Sequence, residues 1–226
     1  MAEGAPSSAD EIKVTNSDIA LEITLKYFSQ NFVPLREALR KEGFDVDNPE
    51  LIEQPGSVTA LSGIVASKQG FAVAIEPSAR KLIVLASNET HPDEGVGSVV
   101  RACETAGYSL GELVAAIGFN ATIVISGGRK PSGTMANVGV DRVAALGRTL
   151  LGNDFKPMGI RFANDVDSFN KPDKPHMSFS LEVFLADPSK FFAQINYVGR
   201  DLQDALGRLK EIEDISVRLV RGLDFP

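Results

Sequence analysis

Two widely separated stretches, AIEPSARKLIV at residues 74–84 and FLADPSKFFAQ at residues 184–194, carry the same punctuation. Each runs from apolar residues through a Pro-Ser pair to a basic residue, and then into a second apolar run. Proline fixes φ and serine bonds within its own neighbourhood, so a Pro-Ser pair between strand-forming runs reads as the tip of a hairpin. Matching tips raise the expectation of two copies of one plan, although identity between the halves is too low to establish it.

In the first half, Ile19, Leu21, Ile23, Leu25 and Tyr27 alternate with Ala20, Glu22, Thr24 and Lys26. A period of two is expected of a half-buried antiparallel strand. Pro34 opens a helix with Leu35, Ala38 and Leu39 inward, and Gly43 stands where a left-handed C-cap closes it. Residues 58–66 read as a strand, and residues 71–75 with 81–86 as a hairpin turning through Pro77, Ser78 and Ala79. Asp93 and Glu94 suit a helix N-terminus; Val96, Val99, Val100 and Cys103 supply its stripe, and Gly107 ends it.

The second half repeats the order. Residues 113–125 read as a long strand with Ala115, Ile117, Phe119, Ala121, Ile123 and Ile125 on one face and Asn120 and Thr122 on the other. A helix is expected at residues 140–151, ended by Gly152, and strands at 158–166, 177–186 and 191–198. Leu202, Ala205, Leu206, Leu209 and Ile212 then fall at helical spacing behind Asp201 as cap, and residues 215–220 read as a short last strand.

Both halves thus read strand, helix, three strands, helix. The expectation is an α+β fold of two tandem β-α-β-β-β-α units, an internal duplication, forming curved antiparallel sheet with helices packed on one face. The other explanation is that short elements fall into this order without a shared origin. In element order alone the plan is similar to the saddle-shaped architecture of the TATA-box binding protein. No sequence motif is shared with that family, and none of its DNA-binding residues carries over. The units span residues 18–108 and 109–226, behind a flexible N-terminal tail at 1–17.

A chain of 226 residues buries about 70% of the surface its unfolded form exposes, so the fold needs no staple. The composition, 43% hydrophobic and 23% charged, is that of an ordinary globular protein. No stretch approaches the ~20 apolar residues of a membrane span, and MAEGAPSSADEIK has the features of neither a signal nor a transit peptide. The expected location is cytoplasmic, with no membrane partner. Cys103, the single cysteine, excludes an internal disulfide and any one-chain multi-thiolate metal site, and its apolar register reads as a buried core thiol. A net charge of −7 opposes the counterion release that drives nucleic-acid binding, and the cations form no basic run.

The stretch SGGRKPSGT at residues 126–134 sits between a strand and a helical pattern, the order in which backbone N–H groups cradle an anion. A Walker loop places lysine directly after its last glycine; here Thr134 follows Gly133 and Lys130 lies inside the loop, so the motif fails. Arg129, Lys130, Ser132 and Thr134 remain as candidates to hold a small anion, although Pro131 removes one donor. The alternative is a connector between halves, with residues 126–139 as a glycine-rich elaboration of the second unit. His91 and His176 both adjoin prolines in turn-like segments. Asp45, Asp47 and Asn48 start like a calcium loop, but Pro49 follows and the required glycine and glutamate are missing. The acidic segment at 165–173 fails in the same way, so neither metal nor cofactor is expected. No Gly-x-Ser-x-Gly elbow occurs and no catalytic motif is complete, which favours a binding role over an enzyme.

Opposite the apolar stripes fall Lys26, Asn120, Thr122, Arg161, Ser178, Ser180, Glu182, Gln194 and Asn196. On a curved sheet they line one surface, either a solvated face or a concave site for a partner chain or small polar ligand with Arg161 anchoring an anion. Edge strands add pairing with a second copy. The expected function is a non-enzymatic cytoplasmic binding or scaffold protein that self-associates, as a homo-oligomer or with another protein. The alternative is a small-anion or nucleotide-binding protein, or an enzyme, using the Gly127 to Thr134 loop and Arg161.

Overall fold

The period-two run at the start of the chain lies on strand β1 (Lys13–Leu25), where Ile19, Leu21, Ile23 and Leu25 are buried. The structure is a computed structural model and describes residues 11–27, 32–46, 51–54, 57–60, 63–87, 92–128, 130–137, 158–164 and 175–224. After β1 come helix α1 (Val33–Lys41), a small hairpin of β2 (Leu51–Gln54) and β3 (Ser57–Ala60), and a meander of β4 (Gly63–Lys68), β5 (Phe71–Glu76) and β6 (Lys81–Ser87). Helix α2 (Pro92–Thr105) and the single turn α3 (Leu110–Leu113) lead to β7 (Val114–Ser126) and α4 (Pro131–Asn137). Strands β8 (Gly159–Ala163), β9 (His176–Val183) and β10 (Phe191–Gly199) follow, and helix α5 (Leu202–Asp224) comes last.

Among the described residues, eight strands form one sheet in the order β4-β5-β6-β1-β7-β10-β9-β8, antiparallel throughout, while β2 pairs with β3 apart from it. The fold is therefore α+β with an antiparallel sheet, as the alternation implies. Its centre is the pairing of β1 with β7, from Lys13 opposite Ser126 to Leu25 opposite Val114. Helix α2 rests on β6, α5 lies across β1, β7 and β10, and α1 packs on α2. Between helices and sheet sit Leu21, Ile23, Leu82, Ile117, Ile123 and Phe191, all at 1% exposure or less. Burying each such side chain is worth about 1.5–3 kcal/mol, so this layer supplies most of the driving force.

Local signals explain most boundaries. Gly43 closes α1 at φ +85°, and Phe44 N–H donates to the Leu39 carbonyl at 3.1 Å. Arg101 of α2 donates to Glu42 at 2.8 Å, tying the end of α1 to its neighbour and lowering the Glu42 pKa. Asp201 caps α5 by accepting from Gln203 N–H at 2.7 Å and Asp204 N–H at 3.1 Å. The two Pro-Ser hairpins close by different means. The first uses a 3-10 turn at Pro77–Ala79 with Arg80 left-handed at φ 56°, whereas in the second Asp187 accepts from Ser189 Oγ at 2.6 Å.

Several expectations are corrected. Residues 215–220 continue α5 and form no strand: Ile212, Ser216 and Val220 repeat every four residues on its buried side, and Arg218 pairs with Asp214 at 2.9 Å. β-branched residues alone made that stretch look extended. Residues 13–17, read as tail, belong to β1 because the length of β7 offers them partners. The stretch 58–66 divides between β3 and β4, which lie in different sheets. Tyr27 lies beyond the strand and is 64% exposed. The helix expected at 140–151, His91 and the acidic segment 165–173 lie outside the described residues. No helix among the described residues is long and apolar enough to cross a membrane.

Candidate functional site

Side chains at paired cross-strand positions share a face, so the register shows what the strands present to solvent. One line of pairs runs Arg161 to Ser180, Ser180 to Gln194, Gln194 to Thr122, Thr122 to Asp18, and Asp18 to Ser87. Six neighbouring strands, β8 through β6, thus place a hydrogen-bonding side chain at every step. The adjacent line pairs Ser178 with Asn196 and Asn196 with Asn120. These side chains are short and mostly uncharged, which makes a shallow polar floor. Charged side chains punctuate it: Arg161 is exposed on the last strand near Glu182, Asp18 lies within the row on β1, and Lys81 meets Glu22 at 2.8 Å on the other side of the centre. The hydrogen bond to Glu22 raises the Lys81 pKa and holds that cation.

Hollows open on this floor among the described residues. One, of about 430 Å³, brings Arg161 together with Ser178, Ser180, Glu182, Gln194 and Asn196. Another, of about 350 Å³, holds Asn120, Glu22, Thr24 and Lys81, with Ala20 and Gly118 giving depth. Asn196 borders both. Of the residues singled out for this face, Arg161, Gln194 and Asn196 come together, Asn120 lies one strand away, and Thr122 fills the step between Gln194 and Asp18. Lys26 does not join them: its Nζ donates to the Glu112 carbonyl at 2.8 Å beyond the end of β1. Asp18 and Ser87 were missed in sequence, though the alternation of β1 extends back from Ala20 to Asp18.

The glycine-rich loop has another geometry. Gly127 and Gly128 take φ of +100° and +74°, a conformation that favours glycine, and a Cβ on Gly127 would run into the Glu11 carbonyl. Both glycines are therefore accounted for by the turn and by the close passage of the chain ahead of β1. Lys130 is exposed, whereas Thr134 is turned inward at 3% exposure beside fully buried Met135. Arg129 and the side chain of Ser132 lie outside the described residues. Neither Lys130 nor Thr134 lines the hollow that holds Arg161. Among the described residues, no three His, Cys, Asp or Glu side chains are grouped to hold a metal.

Compared with known proteins, the chain matches no protein-family model and no curated sequence.

Proposed function

We propose that the protein is a non-enzymatic binding protein, that it self-associates through a sheet edge, and that the solvent side of its sheet is the recognition surface. The observation that carries this is the row of hydrogen-bonding side chains from Arg161 to Ser87 across six strands. Short amides and hydroxyls in register stabilise the sheet by cross-strand pairing, and the same row offers a polar partner donors and acceptors at every strand. Arg161, with a planar fork of donors, suits a carboxylate or phosphate on that partner.

The duplicated plan is part of the proposal. Read outward from the β1–β7 pair, the sheet runs β1-β6-β5-β4 one way and β7-β10-β9-β8 the other, each half with its own α2 or α5 behind it. This mirrored order supports two units joined side by side into one saddle-like sheet, with the polar row along its long direction.

For self-association the favoured edge is β8. At the opposite edge, Ser67 of β4 exchanges backbone hydrogen bonds with Asp45 at 2.7 and 2.8 Å. On β8, the bonds from Val183 N–H to Met158 O and from Asn164 N–H to Met177 O fix the alternation. The N–H groups of Gly159, Arg161 and Ala163 therefore point away from β9. Exposed Met158 and Phe162, at 54% and 49%, flank that edge. A second reading, a small polar anion held at Arg161, is favoured by the 430 Å³ hollow around it.

Native mass spectrometry tests both readings on one sample. Assemblies of more than one copy are expected, and Ala163→Pro, which removes an outward N–H without touching the β9 ladder, is expected to reduce them to single chains. A retained mass that disappears in Arg161→Ala would favour the small anion. A single chain carrying no added mass in the wild type would count against both.

A further inference from the structure

On the opposite side of the sheet, a hollow of about 850 Å³ lies between α5 and the ends of β8, β9 and β10. Among the described residues its walls are apolar: Phe162 and Phe179 stand opposite each other across β8 and β9, Met177 adjoins them, and Ile215 and Leu219 face them from α5. Its polar groups stand on both sides, Asn164 and His176 at the ends of β8 and β9 and the others toward the helix. Tyr197 Oη donates to Asp204 Oδ2 at 2.6 Å, and Arg208 in turn donates to Asp204 at 3.4 Å. Arg218 lines the hollow further along α5, and His176 borders it from β9. Burial first, and then the bond to Asp204, push the Tyr197 phenol above the ordinary tyrosine range, so its hydroxyl stays a neutral donor. A volume below about 1,000 Å³ with apolar walls and a few convergent polar groups is the usual anatomy of a small-molecule site.

We infer that this hollow is a second binding site, independent of the sheet face, for a small amphipathic anion with an aromatic or branched apolar body and a single carboxylate or sulfonate group. The body is matched by the phenylalanine and methionine walls, which make dispersion contacts with flat or branched groups at little cost in side-chain order. The charge is matched by the two arginines, each of which meets a carboxylate of α5 through Nε, Arg208 to Asp204 at 3.4 Å and Arg218 to Asp214 at 2.9 Å, and each of which carries four further N–H donors on its guanidinium. Both guanidiniums stand at the solvent side, 49% and 63% exposed, so an anionic head can reach them while the body enters the wall region. A fully polar ligand would leave the groups that meet Phe162, Phe179, Met177, Ile215 and Leu219 without hydrogen-bond partners.

The full chain is titrated with anilinonaphthalene sulfonate, an aromatic anion, and with the neutral N-phenylnaphthylamine, while the Met177 methyl resonance is followed by NMR. One saturable site per chain is expected for both probes, with the Met177 methyl shifting on binding. Arg208→Gln combined with Arg218→Gln is expected to weaken the sulfonate about tenfold and the neutral probe less than about twofold. Phe162→Ser, a half-exposed position, is expected to weaken both. The inference is overturned by the absence of saturable binding, by equal effects of the arginine pair on the two probes, or by a bound probe that leaves Met177 unshifted and perturbs Gln194 and Asn196.

Discussion

Tyr197 on β10 donates its hydroxyl to Asp204 in the first turn of α5 at 2.6 Å, while its ring stacks on Phe119 of β7 with centroids 5.2 Å apart. One side chain thus links two central strands to the helix that covers them. Tyr197→Phe keeps the ring and removes the hydrogen bond, and is expected to lower stability by about 1 kcal/mol in urea titrations. Tyr197→Ala loses ring packing as well and is expected to cost about 3–5 kcal/mol.

The same contact has a pH signature. The Tyr197 pKa is raised in the folded chain, by burial and then by Asp204, so the folded state holds this proton more tightly than the unfolded state does. Its contribution is whole below about pH 10, the unfolded tyrosine value, and is lost as pH climbs from there toward the raised folded value. Wild type is therefore expected to lose stability above about pH 10 more steeply than Tyr197→Phe, read from urea midpoints at each pH.

Cys103 is 1% exposed in the α2 stripe, and burial pushes its thiol up to about 12. A neutral, enclosed thiol is a poor nucleophile. Iodoacetamide at neutral pH is expected to leave the native chain unlabelled and to label it fully in denaturant. Fast labelling of the native chain would contradict the packing of α2.

Gly127 carries two constraints at once, a φ of +100° and the nearby Glu11 backbone. Gly127→Ala is expected to destabilise by about 1–3 kcal/mol and to raise amide exchange at the start of β1. Gly133→Ala meets nothing within 4 Å and is expected to be close to neutral, measured the same way.

Much of this was legible in sequence because it obeys short periods. The alternation along Ile19 to Leu25 and along Ile117 to Ile125 marked the central strands, and Asp201 marked the start of α5. The extent of elements was less legible, since it depends on partners: residues 13–17 become strand because β7 is long enough to pair with them. Residues 215–220 become helix because Ser216 and Val220 have a core to enter. The wet positions Arg161, Gln194, Asn196 and Asn120 were recognisable by alternation, but their union into one row is set by register, which no local pattern carries. The helix-side hollow left still less trace, because Tyr197 and Phe179 read simply as core residues of their strands.

The most direct test of the recognition surface is site-specific photocrosslinking in cells. Benzoylphenylalanine is placed at Asn120 or Arg161, both exposed on the sheet face, and at Glu211, exposed on α5, as the control. Crosslinked adducts are expected from Asn120 and Arg161 and none from Glu211. Adducts from Glu211 alone, or none from either sheet position, would rule out the sheet face as the recognition surface.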